Sequence, residues 1–467
     1  MNHEEFEKQN IFGIGQENAA FAQYFIGRSY LNPLTAGSAL FFANVTFEPG
    51  CRNNWHVHRA DKGGGQILLC IAGEGWYQEW GKPARSLKAG DVVVIPAGVK
   101  HWHGAKKGSW FSHIAAEVPG ENTRNEWLEE VSDAQYDALG EEREVICMQY
   151  TELGGSGIRV SRFCLGCMSF GDPASEMHAW TLNADESEAI IRHALGLGIN
   201  FFDTANCYSA GTSEEYLGRA IRRNVAREKV VLASKVYFNE GHLSKAAIER
   251  EIDGTLKRLG TDYLDLYIIH RFDASTPVGE TMSALDGLVK AGKVRALGAS
   301  AMYGYQFYNM QLCARDNGLT PFVSMQNHYN PLYREDEREL IPVCKQMNVA
   351  LTPYSPLAAG RCARPNWEAD TLRSRTDKVA RSKYDSTEEA DKSIAARIAA
   401  LAGKYGTSMT RICFAWHFAK GIASPVIGAT KEKYLDDAVG ALDIRLTEED
   451  VAFIDEPYAP HRIVGAL

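Results

Sequence analysis

The chain has 467 residues, of which 45% are hydrophobic and 23% charged, and its net charge is −9; this indicates two domains or one large barrel with additions. The acidic balance and the lack of a long basic run argue against nucleic acid and membrane partners, and no apolar run reaches the roughly 18 residues of a membrane span. The polar first residues and ten scattered cysteines favour a cytoplasmic location.

The N-terminal part has the pattern of a small β-structure. Short apolar runs between residues 36 and 118 are separated by Gly and Pro about every ten residues, with no sustained helical periodicity. The residues before them are expected to pack on this unit as an arm or a helix. We therefore predict an all-β barrel domain over residues 1–138, followed by a polar linker over 139–147 and a second domain over 148–467.

Histidines cluster in this first domain. His56 and His58 alternate on a strand, so their side chains share a face, and His101 is expected from a neighbouring strand. With Gln66 they form a predicted site for a divalent metal, and His103 is placed as a nearby acid or base. Asp61 is an alternative ligand to Gln66. The alternative to a metal site is a solvated His-rich strand face.

The second domain alternates strands with amphipathic helices. Eight apolar, β-rich runs span residues 158–166, 199–205, 229–236, 262–270, 294–300, 322–327, 349–356 and 424–430. Between them, Asp185 with Glu188 is predicted to cap one helix, and Ser244 and Gly260 to begin and end another. Eight such units in about 300 residues predict an α/β (β/α)8 TIM barrel, with an open doubly wound sheet as the alternative.

Polar residues close most of these predicted strands. Asp203 ends the second run, Lys235 lies near the end of the third, and His270 ends the fourth. Tyr208 follows Asp203 in the stretch FFDTANCYS, residues 201–209. In a TIM barrel these ends meet at one face, where active sites are built. A lysine held by a carboxylate beside a tyrosine, with a histidine nearby, suits protonation of a carbonyl oxygen while a cofactor supplies hydride.

Later strand ends offer a platform for that cofactor. The chain lacks Gly-x-Gly-x-x-Gly between a strand and a helix. Ser300, Gln326 and Asn327 are predicted to bind a nicotinamide carboxamide. Tyr354 is predicted to stack on the nicotinamide ring. Thr430 and Lys431 begin a predicted anion site at the last strand-to-helix junction. Lys431 favours a 2′-phosphate, hence NADP, whereas Glu432 favours NAD.

The ordered motifs of the second domain resemble the aldo-keto reductases. The resemblance rests on FFDTANCYSAGTSEEYLGRAI, ASKV, TDYLDLYIIHRFD, GKVRALGAS, SMQNHYNPLYR, LTPYSPLAAGR and SPVIGATK, and runs from about residue 148 to 467. It implies a TIM barrel, NADP(H) and the catalytic tetrad Asp203, Tyr208, Lys235 and His270, with Tyr208 as general acid. It also implies cofactor contacts at Gly166, Met168, Ser355, Leu357, Gly360, Arg361, Ile427 and Gly428. Ala301 and Ala438 stand where the family often has asparagine.

The His-x-His motif with a later Pro-x-Gly-x-x-His resembles the cupins, particularly small ones with Gln in place of the usual Glu ligand. Some of these bind manganese and act as lyases. The resemblance implies a metal-binding cupin barrel, with Mn, Fe, Ni or Zn as candidate metals. It also leaves a homo-oligomer open, because small cupins often pair.

Together these patterns predict an NADPH-dependent reductase of aldehydes or ketones, fused to a cupin that acts on a related small molecule. One alternative is an NADP-binding redox sensor with little turnover. Another makes the cupin the main enzyme, a metal-dependent lyase, isomerase or dioxygenase that the barrel assists. The substrate itself is not specified by the sequence.

Overall fold

The computed structural model describes residues 3–38, 40–137, 139, 148–175, 177–365, 367 and 372–464. The chain divides into two compact units, Met1–Glu144 and Val145–Leu467. Apart from Leu139, the predicted linker over 139–147 lies outside the described residues. No helix among the described residues is long and apolar enough to cross a membrane.

The first unit is built from antiparallel strands, which confirms the predicted all-β domain. Its strands are β1 Gln16–Glu17, β2 Phe25–Ile26, β3 Ser29–Pro33, β4 Phe42–Phe47, β5 Arg52–Asn53, β6 His56–Arg59, β7 Lys62–Gly63, β8 Gly65–Glu79, β9 Arg85–Lys88, β10 Val92–Pro96, β11 Lys100–Ala105, β12 Phe111–Glu117, β13 Gly120–Glu121 and β14 Arg124–Trp127. The helices of this unit are α1 His3–Gln9 and α2 Asp133–Asp137, with a 3₁₀ turn at Ala22–Tyr24.

The long strand β8 organises this unit, because it pairs with β9, β10, β11 and β12. Its side chains alternate: Leu68 is fully buried, whereas its neighbour Leu69 is 38% exposed. Leu68 packs in a core that includes Phe47 and Phe111. The strands β6 and β11 pair with each other in register His56 to His101. The fold therefore sets the predicted metal-binding histidines side by side.

The second unit contains eight parallel strands. After a hairpin of β15 Tyr150–Glu152 and β16 Arg159–Ser161 come β17 Cys164–Gly166, β18 Phe201–Asp203, β19 Val231–Val236, β20 Leu264–Ile269, β21 Val294–Ser300, β22 Phe322–Gln326, β23 Ala350–Leu351 and β24 Val426–Gly428. Each strand from β17 to β22 pairs with the next one along the chain, and β24 pairs with β17. Beyond β23, the Val426 amide donates to the Pro353 carbonyl oxygen at 2.9 Å. These contacts confirm the predicted TIM barrel.

Helices follow the barrel strands. They are α3 Ala184–Gly196, α4 Thr212–Asn224, α5 Lys245–Leu259, α6 Val278–Lys290, α7 Gly304–Asp316, α8 Leu340–Gln346, α9 Leu372–Thr376, α10 Lys378–Tyr384, α11 Glu388–Lys404, α12 Met409–Ala419, α13 Glu432–Val439 and α14 Glu448–Asp455. Short 3₁₀ turns lie at Pro173–Ser175, Tyr208–Gly211, Arg227–Lys229, Glu335–Glu337, Ala358–Ala363, Asp385–Thr387 and Gly440–Asp443.

Two local predictions need correction. The run 158–166 is not one strand, because β16 belongs to the hairpin and only β17 enters the barrel. The cap of α3 is Asn183 rather than Asp185: the Asn183 side chain accepts from the Asp185 and Glu186 amides. Asp185 already lies in the first turn, so Glu186 rather than Glu188 completes the capping box. Ser244 and Gly260 begin and end α5 as predicted.

Candidate functional site

The barrel brings the four predicted tetrad residues to its C-terminal face. Asp203 is the last residue of β18, Lys235 lies one residue before the end of β19, and His270 directly follows β20. Tyr208 opens the 3₁₀ turn that connects β18 to α4. All four belong to neighbouring strands or their loops, so parallel pairing alone places them together.

Lys235 is the centre of this group. Its side chain is fully buried and its Nζ donates to the Asp203 carboxylate and, at 3.2 Å, to the Tyr208 hydroxyl. Gln326 Nε2 donates to the other Asp203 oxygen at 3.0 Å. Burial alone would lower the pKa of Lys235, but the charge of Asp203 raises it above its usual value. Lys235 is therefore a buried ammonium ion that is paired and hydrogen-bonded.

Tyr208 is a protonated phenol in this site. Burial raises its pKa to about 12, although the neighbouring Lys235 ammonium acts in the opposite direction. The expected lowering of the Tyr208 pKa by Lys235 is thus present as a contribution but is outweighed by burial. The hydroxyl keeps its proton at neutral pH, which is the state that a proton donor requires.

His270 lies beside Tyr208 as a neutral imidazole. The two ring centroids are 5.8 Å apart, and Phe238 meets the imidazole edge-on at 5.0 Å. Burial lowers the pKa of His270 well below its usual value, and the positive charge of Lys235 acts in the same direction. A neutral imidazole in this position can donate one hydrogen bond to a substrate oxygen.

The backbone after Tyr208 is held in an unusual conformation. Ser209, Ala210 and Gly211 have φ of 45°, 54° and 92°, all in the left-handed region. At the start of α4, Ser213 Oγ donates to the Cys167 carbonyl oxygen at 2.8 Å and lies 2.9 Å from Thr204 Oγ1. These contacts to β18 and β17 fix the turn, and with it the position of the phenol.

The predicted nicotinamide residues lie at the ends of β21 to β23. Ser300 ends β21, and Gln326 ends β22 with its amide nitrogen on Asp203. Asn327 Nδ2 donates to Asp336 at 2.8 Å, whereas its Oδ1 is buried without a partner. Tyr354 stacks on His328 with centroids 5.2 Å apart. Asn327 thus keeps one buried acceptor without a partner, and Tyr354 follows the next strand along the chain, β23.

The remaining predicted cofactor residues occupy three neighbouring segments. Gly166 is the last residue of β17, and Met168 follows this strand. Ile427 and Gly428 lie in β24, which pairs with β17. Ser355, Leu357, Gly360 and Arg361 follow β23, where φ of Ser355 is 54° and that of Gly360 is 92°. Arg361 donates to Asp385 at 2.5 Å. The structure therefore groups these residues along one side of the barrel mouth.

Thr430 and Lys431 lead into α13. Lys431 is the N-cap of this helix, and its side chain makes no capping hydrogen bond. Glu432, the residue that argues for NAD, lies 3.8 Å from His193 Nδ1. Asp437, before Ala438, accepts from Ser408 and from Arg411 at 3.1 Å. Ala301 has φ of 46°, a conformation that asparagine adopts more readily than alanine.

In the first unit, three histidines have the spacing of metal ligands. The ring nitrogens of His56, His101 and His103 lie within 4.8 Å of one another, and all three side chains are buried. His56 Nδ1 lies 2.9 Å from the Asn54 carbonyl oxygen, and His101 Nδ1 lies 3.0 Å from that of Val99. When Nδ1–H donates to such a carbonyl, the lone pair of Nε2 is left free for a metal. Proteins commonly orient imidazole ligands in this way.

His58 and Gln66 lie next to this group. The His58 ring centroid is 5.3 Å from that of His56 and 5.5 Å from that of His101. His58 Nε2, His101 Nε2 and Gln66 Oε1 are all buried without a hydrogen-bond partner. Asp61 is exposed and accepts from Asn122 at 2.7 Å. Of the two alternatives, the geometry therefore favours Gln66 over Asp61 as a residue of the site.

Sequence reasoning missed the residues that support His103. Asn53 accepts from the His103 amide at 2.9 Å and contacts its ring, and His113 Nε2 lies 3.2 Å from His103 Nδ1. Trp127 packs on His56 with centroids 4.7 Å apart. Burial lowers the pKa of His101 to about 4 and that of His113 to about 3. Neutral imidazoles are the form that binds a metal.

Comparison with known proteins agrees with both architectures. The aldo/keto reductase family model matches residues 162–459, and the cupin domain model matches residues 43–110. The chain belongs to the aldo/keto reductase family and carries a cupin domain before the barrel. Both predicted resemblances are thereby confirmed, and the barrel is that of an oxidoreductase.

Similar proteins match the barrel over nearly their whole length. Versiconal hemiacetal acetate reductase of Aspergillus parasiticus is 40% identical over 341 residues, which is 68% of this chain and 98% of that protein. A putative aryl-alcohol dehydrogenase of Schizosaccharomyces pombe is also 40% identical, over 68% of this chain and 98% of its own. The crystal structure of a thermostable aldo-keto reductase with the inhibitor epalrestat aligns at a TM-score of 0.54 and 27% identity, covering 66% of this chain and 100% of that chain.

Proposed function

We propose that the barrel reduces an aldehyde or ketone to the alcohol with NADPH. The observation that carries this proposal is the buried Tyr208 hydroxyl, which lies 3.2 Å from a Lys235 ammonium paired with Asp203. A phenol can donate its proton to a carbonyl oxygen, and a fixed cation beside it stabilises the phenolate that remains. The relatives with reductase and aryl-alcohol dehydrogenase names support the same class of reaction.

Each tetrad residue has a separate part in this reaction. NADPH, when bound, supplies the hydride. Tyr208 donates its proton to the carbonyl oxygen, and Lys235 stabilises the phenolate that remains. Asp203, held by Gln326, keeps Lys235 charged and in place. His270 donates a hydrogen bond that orients the carbonyl toward Tyr208.

The residues at the barrel mouth fit the cofactor. Asn327 Oδ1, a buried acceptor without a partner, suits the amide hydrogens of a carboxamide. The amides that begin α13 have no side-chain cap and suit a phosphate, and the exposed Lys431 adds a positive charge there. Glu432 lies toward His193, so it opposes a 2′-phosphate less than its sequence position suggests. NADP rather than NAD is therefore the proposed cofactor.

For the cupin domain we propose a divalent metal held by His56, His101 and His103, with His58 and Gln66 beside it. The fit rests on the close approach of the three rings and on the backbone carbonyls that orient His56 and His101. The buried Nε2 atoms of His58 and His101 also lack a hydrogen-bond partner. Mixed nitrogen and amide ligands suit Mn, Fe, Ni or Zn, and such a metal would polarise a bound oxygen atom. This favours a metal-dependent cupin activity on a small molecule related to the substrate or product of the barrel.

The direct test of the reductase proposal is NADPH oxidation by the full-length protein with a panel of aldehydes and ketones. We expect turnover with at least one class of carbonyl compound and formation of the corresponding alcohol. Tight NADPH binding without turnover on the whole panel would instead favour the redox-sensor alternative. Replacement of NADPH by NADH tests the cofactor preference, with a lower kcat/KM expected for NADH.

A further inference from the structure

Two cations near the mouth of the barrel, Arg271 and Lys383, form no ion pair with any residue that the structure describes. Arg271 directly follows His270, and its Nη1 is buried without a hydrogen bond. Lys383 lies on α10, in the segment after β23, and its Nζ is 4.7 Å from the centroid of the Tyr354 ring. In the described part of the chain, no carboxylate lies within ion-pair distance of either side chain. Partly buried charges without partners are costly, so a site that keeps two of them requires an explanation.

Both cations lie close to the tetrad and its neighbours, since Arg271 follows His270 and Lys383 lies over the Tyr354 ring. The positive charge of Arg271 acts to lower the pKa of His270 and of Lys383, in the same direction as burial. It also acts on Tyr354, although burial raises the pKa of that phenol overall. Tyr354 also interacts with Tyr208, the proposed proton donor. Burial together with Arg271 lowers the pKa of Lys383 to about 8, so the lysine remains mostly protonated at neutral pH.

The acidic residues nearby are already engaged. Asp377 is the acid that acts on Lys383, but its carboxylate accepts from Arg373 at 3.1 Å and from the Ala380 amide at 2.9 Å. Asp203 is bound by Lys235. Neither Asp377 nor Asp203 therefore pairs directly with Arg271 or Lys383.

We propose that Arg271 and Lys383 form a subsite for the carboxylate of a carbonyl substrate. This rests on the proposed reductase function and narrows the substrate class to aldehydes or ketones that carry an acidic group. An arginine fork and a lysine ammonium are both donors that match a carboxylate. The same two cations would also suit a phosphate of the cofactor. A substrate carboxylate and a cofactor phosphate predict different results in the tests below.

The test compares matched substrates in the full-length protein. 4-Formylbenzoate and methyl 4-formylbenzoate carry the same aldehyde and differ in one negative charge. We expect the ratio of their kcat/KM values to favour the carboxylate at least about tenfold, as one charge-assisted contact implies. Arg271→Gln and Lys383→Gln should each reduce this ratio toward one. Lys378→Gln, at an exposed lysine on the same helix, should keep the wild-type ratio.

Binding measurements separate this inference from the reductase proposal. Calorimetric titration with benzoate and with benzamide, in the presence of NADP, needs no turnover. Loss of benzoate affinity in Lys383→Gln, with benzamide affinity unchanged, supports the subsite even if no aldehyde is reduced. Equal ratios in wild type and variants would overturn the subsite while leaving the reductase intact. Weaker NADPH binding in both variants, with an unchanged substrate ratio, would assign the cations to the cofactor and also overturn it.

Discussion

The Nζ of Lys235 lies 3.2 Å from the hydroxyl oxygen of Tyr208 while the same ammonium is paired with Asp203. Neutralising the buried lysine charge and stabilising the phenolate are therefore tasks of two different groups. Asp203 offsets the cost of burying the lysine charge, and the lysine then acts on the phenol. Tyr208 starts as a neutral acid because it is buried, and its product, the phenolate, forms next to a cation.

Replacement of Tyr208 by phenylalanine should remove the proton donor. We expect kcat for carbonyl reduction to fall by about 10²- to 10⁴-fold, the usual contribution of general acid catalysis, with the affinity for NADPH little changed. Steady-state kinetics and a direct NADPH titration measure the two effects. Tyr305→Phe is the matched control, because Tyr305 is 58% exposed. Turnover of Tyr208→Phe at the wild-type rate would contradict the assigned role.

Replacement of Lys235 by methionine should destabilise the barrel as well as inactivate it. The change leaves the buried Asp203 carboxylate without its cation, which costs about 3–5 kcal/mol of unfolding free energy. Urea-induced unfolding of the full-length protein measures this loss of stability. The unfolding transition of the barrel is the one that NADPH binding shifts.

The double variant Asp203→Asn with Lys235→Met tests the cause of that loss. With no charge left in the site, its destabilisation should be smaller than the sum of the two single variants. Simple additivity would mean that the two side chains do not act as a pair.

Much of the barrel was predictable because polar residues at strand ends are informative. Asp203, Lys235 and His270 interrupt apolar runs where burial alone gives no reason for them, and parallel strands bring such ends together. The split of the run 158–166 was not predictable from its pattern. β16 and β17 are both apolar, and only tertiary pairing assigns one to the hairpin and the other to the barrel.

The supporting residues of both sites were harder to predict because they come from distant segments. The two-residue periodicity of a strand shows that His101 and His103 share a face, but it does not show that His113 of β12 lies behind them. Lys383 comes from a helix within a long, charged segment, where its sequence context is that of a surface residue. Such pairs are defined only when the chain is folded.

Metal binding by the cupin domain should depend on the converging histidines. His56→Ala and His101→Ala are each expected to reduce the metal content of the purified protein from about one ion per chain to near zero. Inductively coupled plasma mass spectrometry gives the stoichiometry. Asp61→Ala should retain the metal, because Asp61 is exposed and bound to Asn122.

His103 and Gln66 can be distinguished by metal affinity, measured by titrating the metal-free variants with the metal ion. The ring nitrogens of His103 lie within 4.8 Å of those of His56 and His101, so we expect His103→Ala to weaken metal affinity more than Gln66→Ala does. His113→Ala removes only the support behind His103 and should cost about 10- to 100-fold in affinity. A larger loss in Gln66→Ala than in His103→Ala would reverse this assignment.

A buried histidine at the end of the chain should make barrel stability depend on pH. His461 Nε2 lies 2.8 Å from the Asp391 carboxylate, and both side chains are buried. Burial alone would lower the pKa of His461, but the hydrogen bond and charge of Asp391 raise it above the usual value of 6.5. A raised pKa in the folded state stabilises the protein below the unfolded pKa, and this stability is lost as the pH rises through the folded value.

Thermal unfolding of wild type and His461→Gln at several pH values measures this contribution. The difference in stability should be largest below the ordinary imidazole pKa and should shrink as the pH rises above it, because the imidazole then loses its proton. His242→Gln is the control, since the ring of His242 contacts the Tyr237 carbonyl oxygen rather than a carboxylate. If the wild type and His461→Gln differ equally at every pH, the pair stabilises the barrel through packing and neutral hydrogen bonds rather than through charge.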